Sequence, residues 1–205
     1  MKTEKRFIPS DVCPVEVETR NDKDAKIVGL ASVYFDGSES TEFRLFDNVV
    51  ERILPGAFDR ALADGDDVVA LYNHNENFVL GRTPNTLELN STEQGLEYRI
   101  DPPDTQYAKD LQTSISRGDI RGSSFAFQVE EQDWIEEDDK IVREVRSVRL
   151  SDVSPVTRPA YSATSTGLRS LDDCSEAKQA YDAWREQVDT QRRLARAAQL
   201  KEELL

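Results

Sequence analysis

The hydrophobic pattern along this chain is mostly of period two, broken at short intervals by turn residues. Residues 1–26 are polar and charged and end in Asn21-Asp-Lys-Asp-Ala-Lys26, so they read as a flexible N-terminal segment, although Val15 and Val17 have the spacing of a strand. Residues 27–35 read as a buried strand, stopped by Asp36-Gly37-Ser38. Phe43, Leu45 and Phe46 mark a second extended piece. Residues 55–63 predict a short helix that opens on Pro55, carries Phe58, Ala61 and Leu62 on one face, and ends at Asp64-Gly65-Asp66. An apolar run at 68–72 leads into a polar turn, Asn73-His74-Asn75-Glu76-Asn77, and residues 78–80 return from it. Leu87 and Leu89, then Leu96, Tyr98 and Ile100, alternate as strands do around a turn at 91–95.

Residues 104–115 predict the clearest helix of the body. Tyr107, Leu111 and Ile115 are spaced four apart on one stripe, and Gly118 suits its C-cap. Residues 120–130 read as a strand, 133–140 as an acidic hairpin loop, and 141–153 as the strand back. A polar stretch at 167–175 marks a boundary. Residues 176–205 are rich in Ala, Gln, Glu, Arg and Leu, contain no Gly or Pro, and predict a helix. Ala177, Tyr181, Trp184 and Val188 form its seam, continued by Ala195, which suits either a solvated terminal helix or a docking and oligomerising one. The expected fold class is α+β, mainly β, with a closed or partly closed sheet over 27–170 and a linker and helical tail over 171–205.

Composition narrows the chemistry. The 205 residues are 38% hydrophobic, with eight Phe and six Tyr, enough for an ordinary core. The formal net charge of −14 argues against nucleic acid or an anionic membrane as partner, since both need clustered positive charge. Cys13 and Cys174 lie near opposite ends with no metal spacing, and read as reduced thiols of a cytosolic protein. With one histidine and no CxxC, neither a metal nor another cofactor is expected. Met1-Lys-Thr-Glu-Lys-Arg6 is followed by no long apolar stretch, so no secretory signal and no membrane span are expected.

His74 is the sole histidine, and imidazole is the side chain that titrates near neutral pH unaided. Lone histidines are most often surface or satisfied core residues, so its company matters. In Arg121-Gly122-Ser123-Ser124-Phe125-Ala126-Phe127-Gln128-Val129, strand alternation puts Phe125, Phe127 and Val129 on one face and Ser124, Ala126 and Gln128 on the other. Ser124 is then anchored by large apolar neighbours pointing away from it. Ser123 would share the phenylalanine face and is rejected as a nucleophile on register. A strand-to-helix elbow of the GxSxG kind is missing. In the strand back, Val148, Leu150 and Asp152 share a face if the register holds, and a carboxylate continuing an apolar face needs a partner. Together these residues supply a base, a nucleophile and a carboxylate that orients the base. The chain order His, Ser, Asp matches none of the three common triad orders, but triads are defined by geometry.

Four segments in this order resemble the HK97-type prohead (procapsid) maturation proteases of tailed phages, relatives of the herpesvirus assemblins. They are Glu51-Arg-Ile-Leu-Pro-Gly-Ala-Phe-Asp59; Leu71-Tyr-Asn-His-Asn75 with Val79-Leu-Gly-Arg82; Gly122-Ser-Ser-Phe-Ala-Phe127; and Leu150-Ser-Asp-Val-Ser-Pro-Val-Thr-Arg-Pro-Ala-Tyr161. The resemblance implies an assemblin-like β-barrel flanked by helices, with His74, Ser124 and Asp152 as the catalytic set and Thr157 and Arg158 as oxyanion or substrate residues. Many relatives have glutamate where Asp152 stands, and often glycine where Ala126 stands. The implied activity is a serine endopeptidase that cleaves major capsid protein and scaffold segments, and itself, inside the procapsid in the host cytoplasm, as a dimer or higher assembly. The competing expectation is an inactive scaffolding or assembly protein with the same barrel.

Overall fold

The computed structural model describes residues 3–8, 14–19, 25–157 and 174–202. Contacts divide the chain into two units, Met1–Arg169 and Ser170–Leu205. The first is mainly β. Its strands are β1 (Glu4–Ile8), β2 (Glu16–Thr19), β3 (Ala25–Val33), β4 (Phe43–Phe46), β5 (Val49–Ile53), β6 (Val69–Tyr72), β7 (Asn75–Arg82), β8 (Leu87–Ser91), β9 (Gly95–Ile100), β10 (Gly122–Glu137) and β11 (Lys140–Val156). Its helices are α1 (Asp59–Asp64) and α2 (Gln106–Ser116). The second unit carries α3 (Ser175–Glu202), in which the Tyr181 and Trp184 rings lie 6.0 Å apart and Ala195 is exposed.

A seven-stranded sheet runs β1-β10-β11-β5-β4, with β6 also on β11 and β7 on β6. A second sheet of four runs β2-β3-β9-β8. The barrel is therefore corrected: among the described residues the strands form two sheets with open edges, and none of the recorded pairings closes either on itself. The apolar faces of β3, β9, β10 and β11 supply one core, in which Phe125 stacks on Phe127 at 4.8 Å and meets Phe58 edge-on at 5.6 Å. Each such ring is worth about 1.5–3 kcal/mol of burial.

Several sequence expectations change for identifiable reasons. The segment expected to be flexible supplies β1 and β2. Two of its charges, Glu4 and Arg6, mislead because they are satisfied inside. Arg6 donates to Glu51 at 2.5 and 2.9 Å and to Glu4 at 2.6 Å; Arg143 donates to Glu51 at 2.8 Å and to Glu4 at 2.8 and 2.9 Å. All four side chains are at most 4% exposed. This neutral quartet joins β1, β5 and β11, and Arg143 reaches β10 through Gln132 at 2.6 Å.

The acidic stretch 133–140 is strand rather than loop, and β10 turns into β11 over Asp138-Asp139 alone. Basic neighbours neutralise it: Arg146 donates to Asp133 and Arg52 to Glu137. β5 escaped the pattern reading because two of its five residues, Glu51 and Arg52, are charged yet buried. Helix α1 starts at Asp59 rather than at Pro55, since Gly56 takes a left-handed φ of 87°. In α2 Ala108, Leu111 and Ile115 are buried, and Tyr107 is partly buried against the same core while its hydroxyl donates to the Val79 carbonyl at 2.6 Å.

Candidate active site

The strand β6 runs parallel to β11, with Val69 beside Asp152 and Ala70 beside Val153. It then turns back through Asn73 and His74, which form a two-residue hairpin loop between the paired Tyr72 and Asn75. Both loop residues take positive φ, 57° and 55°, as a type I′ turn requires. Asparagine tolerates this; histidine at a position that favours glycine is strained. The end of β11 holds the turn in place. Asn73 donates its amide N–H to the Pro155 carbonyl at 3.1 Å and its Nδ2 to Thr157 Oγ1 at 2.8 Å, and its Oδ1 accepts the Thr157 N–H at 2.9 Å.

The other two residues come from the β10–β11 ladder. Ser124 pairs with Ser154 and Ala126 with Asp152, but Phe127 pairs with Leu150. Ser151 is thus the extra residue of a β-bulge, which switches the facing of everything beyond it. Asp152 does not continue the apolar face of Val148 and Leu150, as expected from simple alternation. The core face is Val148, Leu150 and Val153, and Asp152 lies with Ser124, Ala126 and Ser154 on the opposite one. Diagonal neighbours across a ladder stand about 7–8 Å apart. The imidazole of His74 bridges this diagonal. Its Nδ1 lies 2.6 Å from Asp152 Oδ1 and its Nε2 lies 2.5 Å from Ser124 Oγ.

A carboxylate only accepts, so the ring proton sits on Nδ1 and the Nε2 lone pair faces the hydroxyl. Ser124 is fully buried, while the side chains of His74 and Asp152 are 7% and 13% exposed. This arrangement can move one proton between a hydroxyl and an imidazole whose cationic form faces a carboxylate.

Residues 14–179 match the family of caudovirus prohead serine proteases. This chain belongs to that family. No curated protein matches it. Among solved structures, that of the bacteriophage T4 capsid assembly protease, gp21, is similar at a TM-score of 0.41 and 10% identity, over 75% of this chain and 98% of that one.

In this prohead serine protease, Thr157 is the one of the two other expected site residues that the described residues include. The Thr157 amide is committed to Asn73, so Thr157 clamps the histidine turn and offers no free backbone donor to an oxyanion. Arg158 lies outside the described residues. Ser123 is fully buried and its hydroxyl bonds the Tyr98 hydroxyl at 2.9 Å, away from His74.

Three residues escaped the sequence reading. The Arg6 carbonyl accepts the Ser124 hydroxyl at 2.8 Å. A hydroxyl has one proton, so it serves Arg6 or Nε2, not both at once. The Phe7 ring meets His74 edge-on at 6.0 Å. Ser154 Oγ donates to Asp152 Oδ1 at 2.9 Å and accepts the His74 backbone N–H at 3.3 Å. The signal for Ser154 was its spacing of two from Asp152; Arg6 and Phe7 left none, because only strand pairing brings β1 to β10. Among the described residues no group of three or more His, Cys, Asp or Glu could hold a metal ion, and no helix is long and apolar enough to cross a membrane.

Proposed function

We propose that this chain is a serine endopeptidase that cleaves scaffold and major capsid protein segments, and itself, inside the procapsid, acting in the host cytoplasm as a dimer or higher assembly. One observation carries the reading: a single imidazole is bonded to a strand serine through one nitrogen and to a carboxylate through the other. Ser124 Oγ attacks the scissile carbonyl while His74 Nε2 takes its proton. Asp152 keeps the ring proton on Nδ1 and stabilises the imidazolium. The same Nε2 proton then passes to the leaving amine, which departs and leaves an acyl-enzyme. A water, deprotonated in turn by Nε2, releases the acid and restores Ser124.

The Arg6 carbonyl is a second acceptor for the Ser124 proton, so the hydroxyl must turn from Arg6 to Nε2 before attack. Ser124 is also fully buried, so a peptide reaches it only after the groups against it shift. Incubation with the cognate coat and scaffold proteins, followed by mass mapping, tests the proposal. Cleavage is expected with the wild type and none with Ser124→Ala; cuts that persist in Ser124→Ala would sink it.

A further inference from the structure

We propose that Ser154 is a positioning residue that sets both the aim and the tautomer of His74. This rests on the serine-protease reading above and concerns how that site is held together.

Ser154 is fully buried and stands directly across the ladder from the nucleophile, Ser124. Its hydroxyl meets His74 twice over. It donates to Asp152 Oδ1 at 2.9 Å, the same oxygen that faces His74 Nδ1 at 2.6 Å. It also accepts the His74 backbone N–H at 3.3 Å, and its oxygen lies 3.3 Å from Nδ1 itself. One donor and one acceptor lone pair thus tie together the carboxylate, the ring and the backbone of the base.

The need for such a tie follows from two features of the site. The His74 backbone is left-handed, a conformation that a non-glycine residue keeps only when its surroundings over-determine it. Asp152 stands one residue past the bulge at Ser151, paired with Ala126 and Val69; the ladder sets its facing, but the direction of its carboxylate is set by side-chain bonds. The Ser154 hydroxyl answers both. It occupies the backbone N–H of the strained residue, and it fixes one carboxylate oxygen by donating to it. With that oxygen held, the Nδ1 proton has a fixed acceptor, and the Nε2 lone pair stays directed at Ser124 Oγ. The reacting atoms of a base and nucleophile tolerate little misplacement; about 1 Å can cost about a hundredfold. Removing a hydroxyl that touches no substrate is therefore expected to lower turnover while leaving substrate binding alone.

His74 is the only histidine, so selective ¹⁵N-histidine labelling gives one imidazole spin system with no assignment problem. The wild type should show a strongly deshielded Nδ1–H that Asp152→Asn abolishes or moves. In Ser154→Ala that proton is expected to shift upfield or to be lost to solvent exchange. Ser154→Cys keeps the volume but is a poor donor, and should show an intermediate signal, which covers the case in which the alanine variant does not fold. With the cognate coat or scaffold protein as substrate, kcat should fall about ten- to a hundredfold with KM unchanged. A wild-type signal that ignores Asp152→Asn would bring down the triad reading, and the Ser154 role with it. A signal that responds to Asp152→Asn but is the same in both Ser154 variants, folded and with unchanged kcat, would overturn the role of Ser154 alone.

Discussion

At the scale of single residues, the site depends on two that break local rules. His74 takes a φ that favours glycine, and Asp152 sits past a bulge that reverses its facing. Natural sequences break such rules mainly where function requires it, and other groups make up for it. Here Asn73, Thr157 and Ser154 do so. Asn73→Ala removes three bonds to the end of β11 made by its side chain and should cost about 1–2 kcal/mol in urea unfolding. Turnover should drop more than stability suggests, because the turn aims the His74 imidazole. Asp152→Asn is expected to lower kcat by about three to four orders of magnitude in a peptide-cleavage assay, through the wrong tautomer. Asp152→Glu would install the glutamate that the resemblance to prohead proteases implies at this position. The 2.6 Å contact leaves no room for another methylene, so this variant should also lose activity rather than gain it.

At the scale of elements, β1 is the strand whose importance exceeds its length. It pairs with β10 from Glu4↔Phe127 to Ile8↔Ser123, and its Arg6 carbonyl and Phe7 ring lie against Ser124 and His74. The quartet of Glu4, Arg6, Glu51 and Arg143 pins it. Arg6→Ala would leave Glu51 buried with one partner fewer and is expected to cost about 3–5 kcal/mol, read from the urea midpoint.

The same cluster makes a pH prediction. Burial alone would push the Glu4 carboxyl up; the bonds and charges of Arg143 and Arg6 outweigh it and hold it below its ordinary value. A lowered folded pKa means the contribution is fully present above the ordinary glutamate value of about 4.3 and is lost as the pH falls through the lower folded one. Glu4→Gln should therefore flatten the acid limb of the stability–pH curve below about pH 4.3, measured as urea midpoints against pH. An acid limb as steep as that of the wild type would show that the quartet does not titrate with unfolding.

At the scale of the whole molecule, charge is the property that matters. A chain at −14 attracts basic segments over long range and repels acidic ones. Exposed charges are screened within about 10 Å at 0.1 M salt. Cleavage of a basic scaffold segment should consequently show a KM that rises with ionic strength, while kcat stays constant. A KM independent of salt would mean that the charge serves solubility alone.

How much of this was legible in the chain depends on how local each feature is. Period-two alternation is local, so β3, β9 and β10 and the facing of Ser124 could be read directly, as could the helix over 104–115. Charge pairing across strands is not local, so β1 and β5 were hidden by the charges that the fold buries. The bulge at Ser151 was hidden too, because a strand with one extra residue has the same composition as one without. Asp152 was thus picked out correctly as a residue needing a partner, on a facing that the ladder reverses. By itself the sequence determined the mainly β character, the residues able to do acid–base chemistry and their likeness to a family. Only the tertiary structure decided that one imidazole spans from Ser124 to Asp152, that β1 lies against Ser124, and that the sheets stay open. Those facts live in register and strand order, which depend on contacts between residues far apart in the chain.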